Sequence, residues 1–287
     1  MDGRRTRKEE AQGQLRRSIL ADLTRPVNGL VPLEDKEGIL EVRGVNVAYW
    51  KTQVLYDVYC HFPKNTVTAI MGPSGCGKST LVKVLNRTLE LTPGASVSSG
   101  MVLYHGKDLY GRNHNSMNVR KRIGIIHQQP VPFPMSVREN VLFGAKFHHL
   151  YNKKAKSEYV THYLEKVGLW EEVKDRLGQN ATNLSGGQQQ RLCLARALAN
   201  QPDVILMDEP CSALDPAATQ RIEELIRQLC EDYTVIIVTH NMSQAQRVSE
   251  YAVFIFEGRV IEAGRTDEIF SQPKTDLARA FITGAIG

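Results

Sequence analysis

From Ile39 onward apolar residues recur at a spacing close to two. Leu40, Val42, Val45, Val47 and Tyr49 set the pattern, which continues through Val54, Leu55, Val58 and Phe62. Alternation of this kind predicts half-buried antiparallel strands. The run 66–71 differs, because its β-branched and apolar residues are continuous, as in a strand buried on both faces. After residues 72–80 the apolar positions Leu81, Val82, Val84 and Leu85 change to helical spacing. Further strands are expected at 101–103, within a Gly-punctuated region, and at 123–126, ending in His127-Gln128-Gln129-Pro130. Two more fully apolar runs, 204–207 and 233–238, complete an α/β pattern.

The middle of the chain is helical. Pro130, Pro132 and Pro134 hold the backbone extended, and Ser136 with Glu139 forms a capping box for a helix through Val137, Val141 and Leu142. Charged helical sequence runs on to about Lys174, with Tyr159, Tyr163, Leu164 and Val167 as its apolar face. Residues 128 to about 200 therefore read as a helical subdomain inserted into an α/β domain spanning 38–287. On such a helix His148 and His149 would point to different sides, so they are expected to be a solvated pair rather than metal ligands. Residues 1–37 are rich in Arg and Lys and broken by Pro and Gly. Leu15, Ile19 and Leu23 could line a short amphipathic helix lying on a membrane or partner, but a mobile tail is the expectation.

Composition narrows the class. The chain has 287 residues, 42% of them hydrophobic and 23% charged, as in ordinary globular proteins. No apolar run reaches the roughly 18 residues of a membrane span, and no signal peptide is read at its start. Five scattered cysteines lack metal-ligand spacing and suggest reduced thiols. The formal net charge is +5, yet no basic cluster with interleaved aromatics appears, so nucleic acid is not an expected partner.

Candidate chemistry sits between the 66–71 strand and the helix after it. Gly72, Pro73, Ser74, Gly75, Cys76, Gly77, Lys78, Ser79 and Thr80 spell a G-x-x-x-x-G-K-S phosphate loop. Glycines let successive N–H groups curl toward phosphate oxygens, and the helix N-terminus adds positive potential. Lys78 would reach the β- and γ-phosphates and the Ser79 hydroxyl would ligate Mg²⁺, so ATP or another nucleoside triphosphate is the expected ligand. Cys76, a thiol at a helix N-terminus, is expected to have a lowered pKa and to be alkylated unless ATP protects it. A second helix N-terminus arises at Leu184-Ser185-Gly186-Gly187-Gln188, where Ser185 and Gln188 form a capping box and leave N–H groups free for an anion. The 204–207 strand ends in Asp208-Glu209, two carboxylates at a carboxyl edge where α/β sheets bind ligands.

LSGGQ resembles the signature of ATP-binding-cassette (ABC) ATPases. The resemblance implies a P-loop NTPase (RecA-like) core with an antiparallel β subdomain and the inserted helical subdomain. It also implies a homodimer that sandwiches two ATP molecules, with Ser185, Gly187 and Gln188 of one copy closing on the γ-phosphate held by the other. Asp208 looks like the Walker B residue that holds Mg²⁺ with Ser79, and Glu209 like the carboxylate that activates water. Gln128 matches the Q-loop glutamine, a contact to Mg²⁺ and water, and His240 the switch histidine on the γ-phosphate. The stretch 212–215 resembles the D-loop, and Tyr49 matches the aromatic that stacks on adenine. Trp50 stands where Gly is usual, so either ring could take that place; His127 replaces a usual Phe, without expected effect on chemistry.

The stretches PVPFPMSVRENVLFG, MDEPCSALDP and FITGAIG are similar to ATP-binding subunits of bacterial high-affinity phosphate importers. That resemblance implies a peripheral subunit on the cytoplasmic face of the inner membrane, bound to two transmembrane permease subunits. Their coupling helices would sit near the Q-loop and PFPMS, and an external phosphate-binding protein would deliver the solute. Alternatives are an importer for another solute, such as a polar amino acid, or a soluble ABC ATPase acting on ribosomes or DNA. The single Walker A, single signature and absent heptad run speak against the last.

Overall fold

A computed structural model describes residues 37–111 and 115–286. The expected alternation forms strands β1 (Gly38–Tyr49) and β2 (Thr52–Pro63), which pair antiparallel from Gly38↔Pro63 to Tyr49↔Thr52. The apolar run forms β3 (Val67–Met71), and the helical spacing after it gives α1 (Lys78–Leu85). Strand β4 (Ala95–Tyr104) is longer than the 101–103 expectation, because its first half pairs with β1 from its exposed side. With β5 (Lys107–Asp108) these strands form a sheet in the order β2-β1-β4-β5. The stripe at Leu15, Ile19 and Leu23 lies outside the described residues.

After α2 (Ser116–Arg122) comes β6 (Ile123–Ile126), at the residues expected. The helical stretch is more broken than its pattern suggests. It comprises α3 (Val137–Phe147), α4 (Lys156–Lys166), α5 (Trp170–Val173) and α6 (Gly186–Leu198). His148 is the C-cap of α3 and His149 has φ +53, so the pair ends a helix instead of sitting in one. Asn152 then restarts the chain by accepting from Lys154 N–H. Both predicted capping boxes, at Ser136/Glu139 and Ser185/Gln188, are formed.

The remaining elements are β7 (Val204–Asp208), α7 (Pro216–Leu229), β8 (Thr234–Thr239) and α8 (Met242–Val248). Two strands go beyond the sequence expectations, β9 (Tyr251–Phe256) and β10 (Arg259–Arg265); α9 (Thr266–Ser271) and α10 (Asp276–Ile282) follow. The second sheet has the order β10-β9-β3-β8-β7-β6, parallel except for the β9/β10 hairpin.

Each central strand divides its side chains between two cores. Ile70, Leu206, Ile236 and Val238 face the antiparallel sheet and α1. Ala69, Met207, Val235 and Ile237 face the helices α3, α4, α6, α7 and α8. Burial on both faces is why those strands read as unbroken apolar runs. Leu81 and Leu85 are fully buried between the sheets, each worth roughly 1.5–3 kcal/mol over exposure, so α1 is clamped where the phosphate loop ends.

Candidate nucleotide site

The loop 72–77 leaves the carboxyl end of β3, beside the ends of β8 and β7. Two of its glycines are required by geometry. Gly72 has φ +152, and a Cβ there would lie 2.0 Å from the Ile255 carbonyl oxygen. Gly77 has φ +108, and its Cβ would lie 2.6 Å from Leu55 Cδ2. The loop thus packs directly on β9 and β2, which no side chain at these positions would allow. Pro73 is half-buried, while Ser74, Gly75 and Ser79 are exposed at the mouth.

The side chains assigned to phosphate and metal hold one another. Lys78, only 6% exposed, donates from Nζ to Gly72 O at 2.7 Å and to Pro73 O at 2.8 Å. Ser79 Oγ donates to Asp208 Oδ1 at 3.2 Å, across from α1 to the end of β7. Burial pushes the Asp208 carboxyl above its ordinary range and the adjacent Glu209 adds to this, whereas the Ser79 hydroxyl, His127 and Lys78 oppose it. His127, expected to be neutral to the chemistry, therefore lies within electrostatic reach of Asp208. A half-buried carboxylate and a hydroxyl meeting at the loop mouth form a hard oxygen donor set that suits Mg²⁺.

Glu209 follows β7 with φ +48, a left-handed conformation uncommon for a residue with a Cβ. Its N–H donates to Val238 O at 2.9 Å, which ties that turn to β8. Gln128, at the end of β6, donates from Nε2 to Glu209 Oε2 at 3.2 Å. His240 Nδ1, just past β8, lies 3.0 Å from Glu209 Oε1. The carboxylate is thereby gripped from two neighbouring strand ends, with its side chain 19% exposed.

Tyr49 reaches this cluster through its hydroxyl, 3.4 Å from Thr80 Oγ1. Trp50, in the β1–β2 turn, has φ +56, which explains why Gly suits the position. Its ring is 78% exposed and lies over Gly94, so Tyr49 is the ring that touches the loop.

Cys76 is corrected. Its thiol is only 7% exposed, and burial pushes its pKa up, with the nearby Lys78 ammonium only partly opposing that shift. The helix N-terminus does not win against desolvation. At neutral pH, iodoacetamide is expected to label Cys76 at least tenfold more slowly than a thiol in an unfolded peptide. Mass spectrometry of the loop peptide checks this, and labelling as fast as the free peptide would restore the reactive thiol.

Ser185, Gly186 and Gly187 stand apart from the loop residues. They line a separate cavity of about 390 Å³ with Glu172, Arg191 and Asp215. Glu172 and Arg191 carry no role in the sequence reading. Their pairing joins residues 19 apart across two helices, and no motif spacing signals it.

The ABC transporter family matches residues 55–212. The Phosphate import ATP-binding protein PstB of Oceanobacillus iheyensis is 47% identical over 256 residues, 89% of this chain and 92% of that protein. Its namesake from Malacoplasma penetrans is 49% identical over 255 residues, 88% of each chain. Among solved structures, CbiO1 of Clostridium perfringens, part of an ABC transporter complex, superposes with TM-score 0.73 at 29% identity, covering 88% of this chain and 100% of its own. A bacterial Atm1-family ABC exporter with ATP bound has the same TM-score at 22% identity, covering 91% of this chain and 44% of its own, a likeness of fold. The family match over residues 55–212 and the 47% and 49% identities across most of the chain place it: it belongs to the ABC transporter family.

Proposed function

We propose that this protein is the ATP-hydrolysing subunit of an importer for inorganic phosphate. The observation that carries the motor role is Glu209, held between Gln128 and His240 beside the Lys78 loop. In this reading the loop N–H groups and Lys78 bind the triphosphate, Tyr49 lies against the adenine, and Ser79 and Asp208 hold Mg²⁺. The metal, when bound, neutralises charge on the β- and γ-phosphates. Glu209 accepts a proton from the attacking water, Gln128 orients that water, and His240 donates to the γ-phosphate. The identity to two phosphate-import ATP-binding proteins, at 47% and 49%, supports the solute.

A homodimer belongs to this reading: Ser185 and Gly187 line a cavity of their own, where the γ-phosphate held by another copy would meet them, with Gln188 in the same helix turn. Residues 128–200 serve as the helical subdomain. Among the described residues no helix is long and apolar enough to cross a membrane. Two permease subunits would supply the span, as the similarity to phosphate-import ATP-binding proteins supports. A groove of about 340 Å³ fits their docking, lined by Phe133, Phe143, Phe147, Arg120, Lys121 and Arg196. Phe143 and Phe147 are 52% and 63% exposed there, and clustered exposed aromatics mark an interface. The groove connects to the site through the segment after Gln128. The Arg196 guanidinium stacks 4.1 Å from the Phe133 ring and donates to Val131 O at 3.0 Å. Fully buried Asn140 both donates to and accepts from Phe133. The subunit would sit on the cytoplasmic face of the inner membrane, and an external binding protein would feed the permease.

The test is uptake of labelled phosphate by cells lacking their own importer cassette and supplied with this chain and its permease. Uptake is expected with the wild-type chain and absent with Glu209→Gln. Hydrolysis by the purified protein without phosphate uptake would overturn the solute.

A further inference from the structure

The helix carrying the signature is held by a carboxylate outside every motif. Glu172, on α5, accepts from Arg191 Nη1 at 2.7 Å and Nη2 at 3.1 Å, and from Gln188 Nε2 at 2.9 Å. Arg191 is nearly buried, its side chain 8% exposed, and Nη1 also donates to Gly168 O at 2.6 Å, which fixes the end of α4 in the same knot. The other end of the Gln188 amide, Oε1, accepts from Ser185 N–H at 3.0 Å. That amide is thus oriented from both sides, one N–H toward Glu172 and its oxygen toward Ser185 N–H, which leaves its second N–H free in direction.

The cavity beside this knot receives two helix N-termini. Ser185 opens α6, and Asp215 caps α7 by accepting from Ala217 and Ala218 N–H at 2.9 Å each. The two ends touch, since a Cβ on Gly187 would lie 3.3 Å from Ala218 Cβ. An isolated carboxylate lining such a cavity would oppose an incoming anion. Glu172 does not stand alone, because Arg191 donates to both of its oxygens and Gln188 shares Oε2 with Arg191 Nη2. Hydrogen bonds from Arg191 and Gln188 also hold its carboxyl below the ordinary range, so it stays ionised.

We propose that Glu172 is a positioning residue of the ATPase: it locks the Gln188 amide and the first turn of α6, so that the Ser185 hydroxyl and the Gly186 and Gly187 N–H groups meet the γ-phosphate held by a second copy. The inference rests on the ATP-dimer reading above. It separates two kinds of binding. ATP capture by one subunit depends on the Lys78 loop and is indifferent to Glu172; closure of the second copy on that ATP depends on it.

The test compares wild type, Glu172→Gln and the double variant Glu172→Gln/Arg191→Met. The readouts are kcat, ATP affinity of the isolated subunit, and ATP-driven dimerisation in a Glu209→Gln background. Glu172→Gln is expected to lower kcat and weaken dimerisation about tenfold each, as when hydrogen bonds to a charged group are lost, with subunit affinity for ATP unchanged. A purely structural loss would move subunit affinity as well. The double variant removes the buried Arg191 charge with its partner, so it stays folded even where the single variant does not, and it is expected to remain slow. Wild-type kcat and dimerisation in Glu172→Gln would overturn the proposal. So would their restoration in the double variant, since Glu172 would then only balance Arg191. Failure of the wild-type chain to hydrolyse ATP or to dimerise with it would instead sink the reading beneath.

Discussion

Replacing Glu209 by Gln is expected to leave ATP binding unchanged and to cut steady-state hydrolysis by about 10²–10⁴-fold, the usual weight of a positioned general base. The amide has the shape of the carboxylate, so the left-handed turn at φ +48 and the Glu209 N–H bond to Val238 O are retained. Gln128 Nε2 and His240 Nδ1, at 3.2 and 3.0 Å, both present nitrogen toward the carboxylate. A Gln amide satisfies one of them as acceptor and confronts the other with its own NH₂, and it takes no proton from water. Binding is spared because Lys78, Gly72 and Gly77 act from the loop, whose contacts do not include Glu209. Equilibrium binding of a fluorescent ATP analogue and a phosphate-release assay check the two halves. A variant hydrolysing within threefold of wild type would remove Glu209 from the base role. One with weakened ATP binding would make Glu209 a ligand to the nucleotide.

What could be read before folding follows a physical divide. The loop glycines, Lys78, Ser79, Asp208 and Glu209 are legible because each sits where a buried strand ends, and an unbroken apolar run marks that place in one dimension; His240 ends such a run too, but only the family resemblance singles it out. Capping boxes at Ser136 and Ser185 are legible because their partners lie within one turn. Features set by distant neighbours are not. The Cys76 thiol follows a local rule toward reactivity, and burial of the loop against β2 and β9 reverses it. The Glu172 knot joins α4, α5 and α6, so neither its spacing nor its charge distinguishes it from solvated acids such as Glu171. The placement of the Trp50 ring over Gly94 likewise follows from its turn conformation and not from its neighbours in sequence. The helical region looks continuous because apolar positions recur through it, whereas the break after His148 depends on φ +53 at His149, an angle that composition does not encode.

Lys78→Ala is expected to weaken ATP binding by roughly 100-fold, the weight of one to two charge-assisted hydrogen bonds at ~1.5–3 kcal/mol each. Lys78 is 6% exposed, and its ammonium rests on the carbonyl oxygens of Gly72 and Pro73, with Cys76 Sγ at 3.9 Å. Carbonyl dipoles satisfy its donors without neutralising its charge, so the loop holds an excess positive charge at the mouth of the α1 helix dipole. A triphosphate exchanges those dipoles for full negative charge at little structural cost, because the loop is already curled. Removing the ammonium leaves two carbonyls without a donor and the phosphates without their cation, so affinity falls much further than stability. Lys78→Arg separates charge from shape. The planar guanidinium cannot enter a slot closed by Gly72 O and Pro73 O, and that variant is expected to lose at least about tenfold in affinity despite keeping its charge. Titration with a fluorescent ATP analogue, read beside thermal melting, decides the matter. Binding within threefold of wild type in Lys78→Ala would show that the loop N–H groups and the helix dipole hold the nucleotide by themselves. Unchanged binding in Lys78→Arg alone would show that net charge, and not the slot, is what ATP meets.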